Sequence, residues 1–140
     1  STPYPTLFPY TTLFRSGLSS YLANKFLDAV ANAVSYSAAN VYIKLHTGEP
    51  GANGTANAAT ETTRQEATFA SASSGSVASD AAVTWTNIAG SEDATFFSAW
   101  DNASAGNFLF SGSITGNAYV AGDTYTIESG SLTASLTLAS

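Results

Sequence analysis

The sequence predicts a mainly β protein: a single β-sandwich or jelly-roll-like domain of about seven antiparallel strands with one N-terminal amphipathic helix. Three observations predict it. The apolar period is helical only once, between Leu18 and Ser35, and becomes two from Asn40 onward. Clusters of Gly, Asn, Asp and Ser then recur about every 8–16 residues, the rhythm of short strands and tight turns. Between those clusters, large apolar side chains alternate with small polar ones, as two facing sheets require.

The helix comes first. Leu22, Phe26, Leu27, Val30 and Val34 fall on one stripe, while Asn24, Lys25, Asp28 and Asn32 face away. Ser19 or Ser20 can cap its start, because a serine hydroxyl accepts a hydrogen bond from a free amide of the first turn. A helix of about four turns is marginal alone. It is therefore expected to pack on the sheet or on a neighbouring subunit.

Asn40–His46 reads as the first strand. Val41, Ile43 and Leu45 point one way and Tyr42, Lys44 and His46 the other, the signature of a half-buried strand. Thr47-Gly48-Glu49-Pro50-Gly51 stops it, since proline cannot donate to a ladder and glycine accepts backbone angles other residues avoid. The loop from Gly48 to Thr63 is built almost wholly of small residues, and loops of that length are usually functional or mobile. Further strands are expected at Arg64–Ala70, Ala81–Thr86, Ala94–Trp100, Asn107–Ser113, Thr124–Glu128 and Ser131–Leu138. Turn clusters at Ser73-Ser74-Gly75, Gly90-Ser91, Asp101–Gly106, Gly116-Asn117 and Ser129-Gly130 separate them. Trp85, Phe96, Trp100, Phe108, Phe110, Leu132, Leu136 and Leu138 are the predicted core.

Composition narrows the function. Only 10% of residues are charged, against about 25% in an average globular protein. The formal net charge is −6, with Arg15, Lys25, Lys44 and Arg64 as the only Lys or Arg. A nucleic-acid partner is not expected, because phosphate neutralisation needs clustered cations. No apolar run approaches the ~18 residues of a membrane span, so no membrane partner is expected either. With no cysteine, the chain forms no disulfide and lacks the commonest ligands of structural zinc.

Chemistry-bearing patterns are sparse. His46 is the single histidine, set at a strand end, and reads as a satisfied edge residue; a Ser-His-Asp site needs partners that the local sequence does not offer. His46 with Glu49 gives two potential metal ligands and no third by spacing. Glu92-Asp93 and Asp101 lack the alternating carboxylates and central glycine of a calcium loop, and read as solvated turn charges. No phosphate-binding glycine pattern occurs. The sequence therefore assigns no catalytic, cofactor-binding or metal residue, and no cofactor. Tyr36, Tyr42, Tyr119 and Tyr125, taken as exposed aromatics, have two readings: stacking on sugars, or packing in the core or between subunits.

Thr6–Ser16, TLFPYTTLFRS, is identical to the first-frame translation of a common short-read sequencing adapter. Residues 1–16 are therefore treated as a non-native segment, disordered or opportunistically packed, and left out of fold reasoning. The remaining domain, 17–140, has a formal charge of −7 once Arg15 is removed.

Within that domain the order of features resembles a family of small tailed-phage virion structural proteins of the tail-fibre, minor head or tail, and decoration type. The features are the SSYLANKFLDAV helix, VYIKLHTGEPG, the Thr63-Arg64-Gln65 step, FASASSGSVASDAAVTW, the strand ending Trp100-Asp101, NASAGNFLFSGSI and GDTYTIESGSLTASL. Asn57–Thr60 departs from it, lacking the Gly-Gly-Ser-Tyr run that often precedes the Arg-Gln strand. The resemblance implies a non-enzymatic virion component, made in host bacterial cytoplasm. Its implied partners are copies of itself, capsid or tail proteins, and host-surface glycan. A secreted carbohydrate-binding or adhesin module is the alternative.

Overall fold

The computed structural model describes residues 17–139, so the reading of residues 1–16 lies outside the described residues. The fold is mainly β. Among the described residues one helix, α1 (Ser20–Ala31), precedes eight strands: β1 (Val41–His46), β2 (Gln65–Ala67), β3 (Ser76–Ala78), β4 (Val83–Trp85), β5 (Glu92–Trp100), β6 (Phe108–Tyr119), β7 (Tyr125–Ile127) and β8 (Thr133–Ser135). All pairings between them are antiparallel. They make a four-stranded sheet of order β2-β1-β5-β6 and two ribbons, β3-β8 and β4-β7.

The predicted alternation of β1 sets the inner face. Ile43 lies opposite Ala99 and Leu45 opposite Phe97. On β6, Phe110 continues the first row and Gly112 the second. Gly112 is small for a reason: a Cβ there would sit 2.8 Å from the Phe97 ring, so the missing side chain is the space the ring occupies. Val83, Trp85, Tyr125 and Ile127 from the β4-β7 ribbon join these side chains in one core, as does Leu132 before β8. Trp85 is 1% exposed, and its indole N–H donates to Thr63 O at 2.8 Å. The arrangement is sandwich-like, with ribbons over one face of the sheet.

The other face is not open to solvent. The loop after β1 folds over it: Gly54 lies against the Phe108 ring, where a Cβ would approach to 2.5 Å, and Ala56 O reaches His46. Trp100 and Phe108, cross-strand partners, have ring centroids 5.5 Å apart. Arg64 covers Trp100 with its guanidinium 4.0 Å from the ring centroid, while donating to Asn102 O and Ala105 O. On the polar side of β1, His46 is thus fully buried with Ser98, while Tyr42 and Lys44 are half-buried.

Eight strands among the described residues agree with the expected fold of about seven; the one not foreseen is Ser76–Ala78, which pairs with Thr133–Ser135. Other expectations are corrected. Gly116-Asn117 is not a turn; β6 runs through it, with Asn117 opposite Ala94. Phe96 is only half-buried and Phe97 takes its core place. Phe97 lies opposite Leu45 in the inner row, whereas Phe96 lies opposite His46 in the other row. Leu136 and Leu138 lie outside the core, at 47% and 59% exposure, because β8 ends at Ser135.

The helix is shorter than predicted and differently turned. Ser19 caps it, its hydroxyl accepting from Leu22 N at 3.0 Å. The residues before it hang from the edge of β6, with Ser19 N donating to Leu109 O and Ser111 N to Gly17 O. Of the predicted stripe only Leu22 is buried.

Candidate functional site

His46 ends β1, between β2 and β5 in the sheet, and is not an edge residue. It is fully buried. Nδ1 is 2.8 Å from Ala56 O and Nε2 is 2.7 Å from Ser98 Oγ. The neighbours fix the proton. A carbonyl only accepts, so Nδ1 carries the hydrogen and donates to Ala56 O. Ser98 Oγ already accepts the indole N–H of Trp100 at 2.8 Å, so its hydroxyl donates to Nε2. Burial lowers the His46 pKa from its ordinary 6.5, the nearby Lys44 charge acting in the same direction and the Ala56 carbonyl against it.

A hydroxyl hydrogen-bonded to an imidazole is the contact of a nucleophile and its base. Here both groups are sealed: Ser98 and His46 have no exposed surface. The serine also spends its acceptor capacity on Trp100. This arrangement holds a proton in place instead of passing it on, and it fastens the loop to the sheet. Sequence reading missed Ser98, which carries no local signal; only the pairing of β1 with β5 brings it near His46.

The carboxylates singled out in the sequence are spread over separate tasks. Glu92 accepts from Thr60 N, the Thr60 hydroxyl and the Tyr119 hydroxyl. Asp101 closes its own hairpin, taking both Asn107 N and Asn107 Nδ2. Asp93 lies beside Gly116, where a Cβ would meet its carboxylate at 2.9 Å. Glu92 and Asp101 are therefore structural clamps, not solvated turn charges. Glu61, which opens the Thr63-Arg64-Gln65 step and was given no site role in the sequence, is buried and accepts from Thr63 N and Ala89 N. Burial alone raises its pKa, but the hydrogen bonds from Ala89 and Thr63 bring it below 4.5. Among the described residues no three His, Cys, Asp or Glu side chains gather around one point.

The four tyrosines are not an exposed platform. Tyr119 and Tyr125 are buried, packed together at 5.0 Å between centroids, and Tyr36 and Tyr42 are half-buried. Burial and the adjacent Glu92 push the Tyr119 pKa up to about 12. Burial and the neighbouring Tyr21 raise Tyr36 to about 12.

The surface also carries an apolar patch. Phe26, Leu27, Val30 and Val34 point outward on α1 and its exit. A groove of about 190 Å³ runs between α1, the β3-β8 ribbon and Phe110. Among the described residues no helix is long and apolar enough to cross a membrane. The family model described as Podophage GP4 fiber I protein gp80 matches residues 17–135. The chain belongs to that phage fibre family. No curated protein matches the chain.

Proposed function

We propose that this protein is a non-enzymatic structural component of a tailed-phage virion, of tail-fibre type, acting through contacts with copies of itself and with other virion proteins. The match to a fibre family across residues 17–135 carries this reading. The sealed Ser98–His46 pair and the clamped carboxylates support it, because they use the available polar chemistry to hold the fold together. Head decoration is the alternative position within the same reading. Binding of a host-surface glycan draws no support from the buried Tyr119 and Tyr125.

The test is gold labelling of purified particles with an antibody to this chain, together with peptide mass spectrometry of the same particles. Label along tail fibres is the expected result. Label confined to the head would move the protein to a decoration role. Particles with neither label nor peptides would overturn the virion assignment.

A further inference from the structure

The loop over His46 is built as a strap. From Thr47 to Asn57 its hydrogen bonds close on themselves: Thr47 N to Asn57 O, Ala56 N to Pro50 O, Gly54 N to Gly51 O, and Asn57 Nδ2 to Glu49 O. At its base Ala58 bridges to His46, and Ala59 N donates to Leu45 O. Gly54 against the Phe108 ring and Ala56 O on His46 Nδ1 fasten the strap to the sheet. A segment tied internally in this way opens as a unit, keeping its own bonds.

Beneath the strap, His46 has no place for a second proton. Its Nε2 accepts the Ser98 hydroxyl hydrogen, and protonation would turn that acceptor into a donor. Ser98 Oγ already accepts from Trp100. It would have to accept from His46 as well and turn its own hydrogen away from the imidazole. The result is a buried cation beside a displaced buried hydroxyl hydrogen, and both are costly away from water.

The surrounding charges give no relief. Both ring nitrogens are bonded to neutral atoms, so no carboxylate holds the imidazole. Lys44, its neighbour on the same face of β1, is itself a cation. Across the sheet, β5 presents Phe96, Ser98 and Trp100. Glu66 of β2 lies opposite Tyr42, toward the other end of β1, and Arg64 covers Trp100. In the loop, Glu61 is committed to Thr63 N and Ala89 N, and Glu49 Oε1 is buried with no hydrogen-bond partner among the described residues. Burial is the largest influence on the His46 pKa and lowers it. A charged imidazole therefore favours any state in which water reaches it. β1 and β5 are held in the sheet, which leaves the strap as the side that gives way.

We propose that Thr47–Asn57 is an acid-released strap: protonation of His46 reverses the Ser98 hydrogen bond, and the strap lifts from Trp100 and Phe108 while the core stays closed. This goes beyond the structural role proposed above and does not depend on it.

The chain's two tryptophans are paired probes. The Trp100 indole N–H rests on Ser98, beneath the strap, and that of Trp85 on Thr63 O, outside it. Hydrogen exchange of both indoles is followed by NMR on the full chain from about pH 7 to about pH 4, with the His46 ring signals recorded alongside. Below about pH 6.5, protection of Trp100 is expected to fall about tenfold per pH unit, the slope of one linked proton, until His46 is charged. Trp85 is expected to keep its protection over that range. In His46→Gln, whose amide offers a donor and an acceptor but does not titrate, Trp100 is expected to stay protected. A Trp100 that stays protected throughout in the wild type overturns the proposal, whether or not His46 has taken a proton. Equal loss at both indoles also overturns it, because that is global unfolding. So does an unchanged loss in His46→Gln, which would move the effect to Glu49 or Glu61. Should that variant fail to fold, the wild type decides: a loss beginning only below about 4.5, the ordinary carboxylate range, overturns the proposal.

Discussion

The loop after β1 and helix α1 invert what their sequences suggest. The loop is long and poor in large side chains, yet it is tied at nearly every step: Thr47 N to Asn57 O, Ala56 N to Pro50 O, Ala59 N to Leu45 O, His46 to Ala56 O, Thr60 to Glu92. The helix has a regular apolar stripe and buries one residue of it. Order here follows from satisfied backbone groups and close approach more than from side-chain size. Apolar periodicity in α1 marks a face to be covered, without saying by what.

That contrast can be broken at the loop's anchor points. Trp85→Ala removes a core indole and the hydrogen bond that holds Thr63, the loop's far end. It is expected to cost ~3–5 kcal/mol, measured as the loss of unfolding free energy in urea. A midpoint within error of wild type would remove Trp85 from the set of anchors.

Gly54→Ala should come next, at about 1–3 kcal/mol. Its φ of +71° strains any side chain, and the added carbon would meet the Phe108 ring. Hydrogen exchange should show the cost locally, as faster exchange of the Ala56 and Ala59 amides. Unchanged protection would mean the loop does not press on the sheet.

Acid gives the smallest and most selective effect. The folded pKa of His46 is below its unfolded value, so its contribution is complete above about pH 6.5 and is lost as pH falls through the folded value. Glu61, also depressed, adds a loss of the same sign at lower pH. Loop amides are therefore expected to lose protection before core amides as pH drops from 7. In His46→Gln the His46 step should disappear. Identical pH profiles for wild type and variant would show that His46 does not govern the loop.

Much of this fold was legible. β1 and the centres of β4, β5, β6 and β7 fall within the predicted segments, since alternation marks a strand wherever one face is buried. What could not be read has physical causes. Phe97 took the core place expected of Phe96, because two adjacent phenylalanines point to opposite faces and only the pairing with β1 decides which one meets Leu45. Small residues concealed the loop's role as a layer, so His46 read as an edge residue, Trp100 as part of a single core, and Ser98 carried no signal. The Ser98–His46–Ala56 network joins residues distant in sequence and depends on strand register. The exposed stripe of α1 was visible as a stripe, but its orientation was set by the tether of Gly17–Ser19 to β6.

Two of the domain's cations are spent on aromatic rings. Lys25 lies over Tyr21 and Tyr36, and Arg64 over Trp100. Dissolved ions weaken attraction between exposed opposite charges within a Debye length, which shortens from about 30 Å at 0.01 M to about 3 Å at 1 M. Little such attraction is offered by Lys25 and Arg64, which face π-systems and carbonyls, while the surplus carboxylates of the chain repel one another. Brine therefore relieves this domain more than it weakens it, and its cohesion carries over from dilute fluid to salt-rich fluid without a change of contacts.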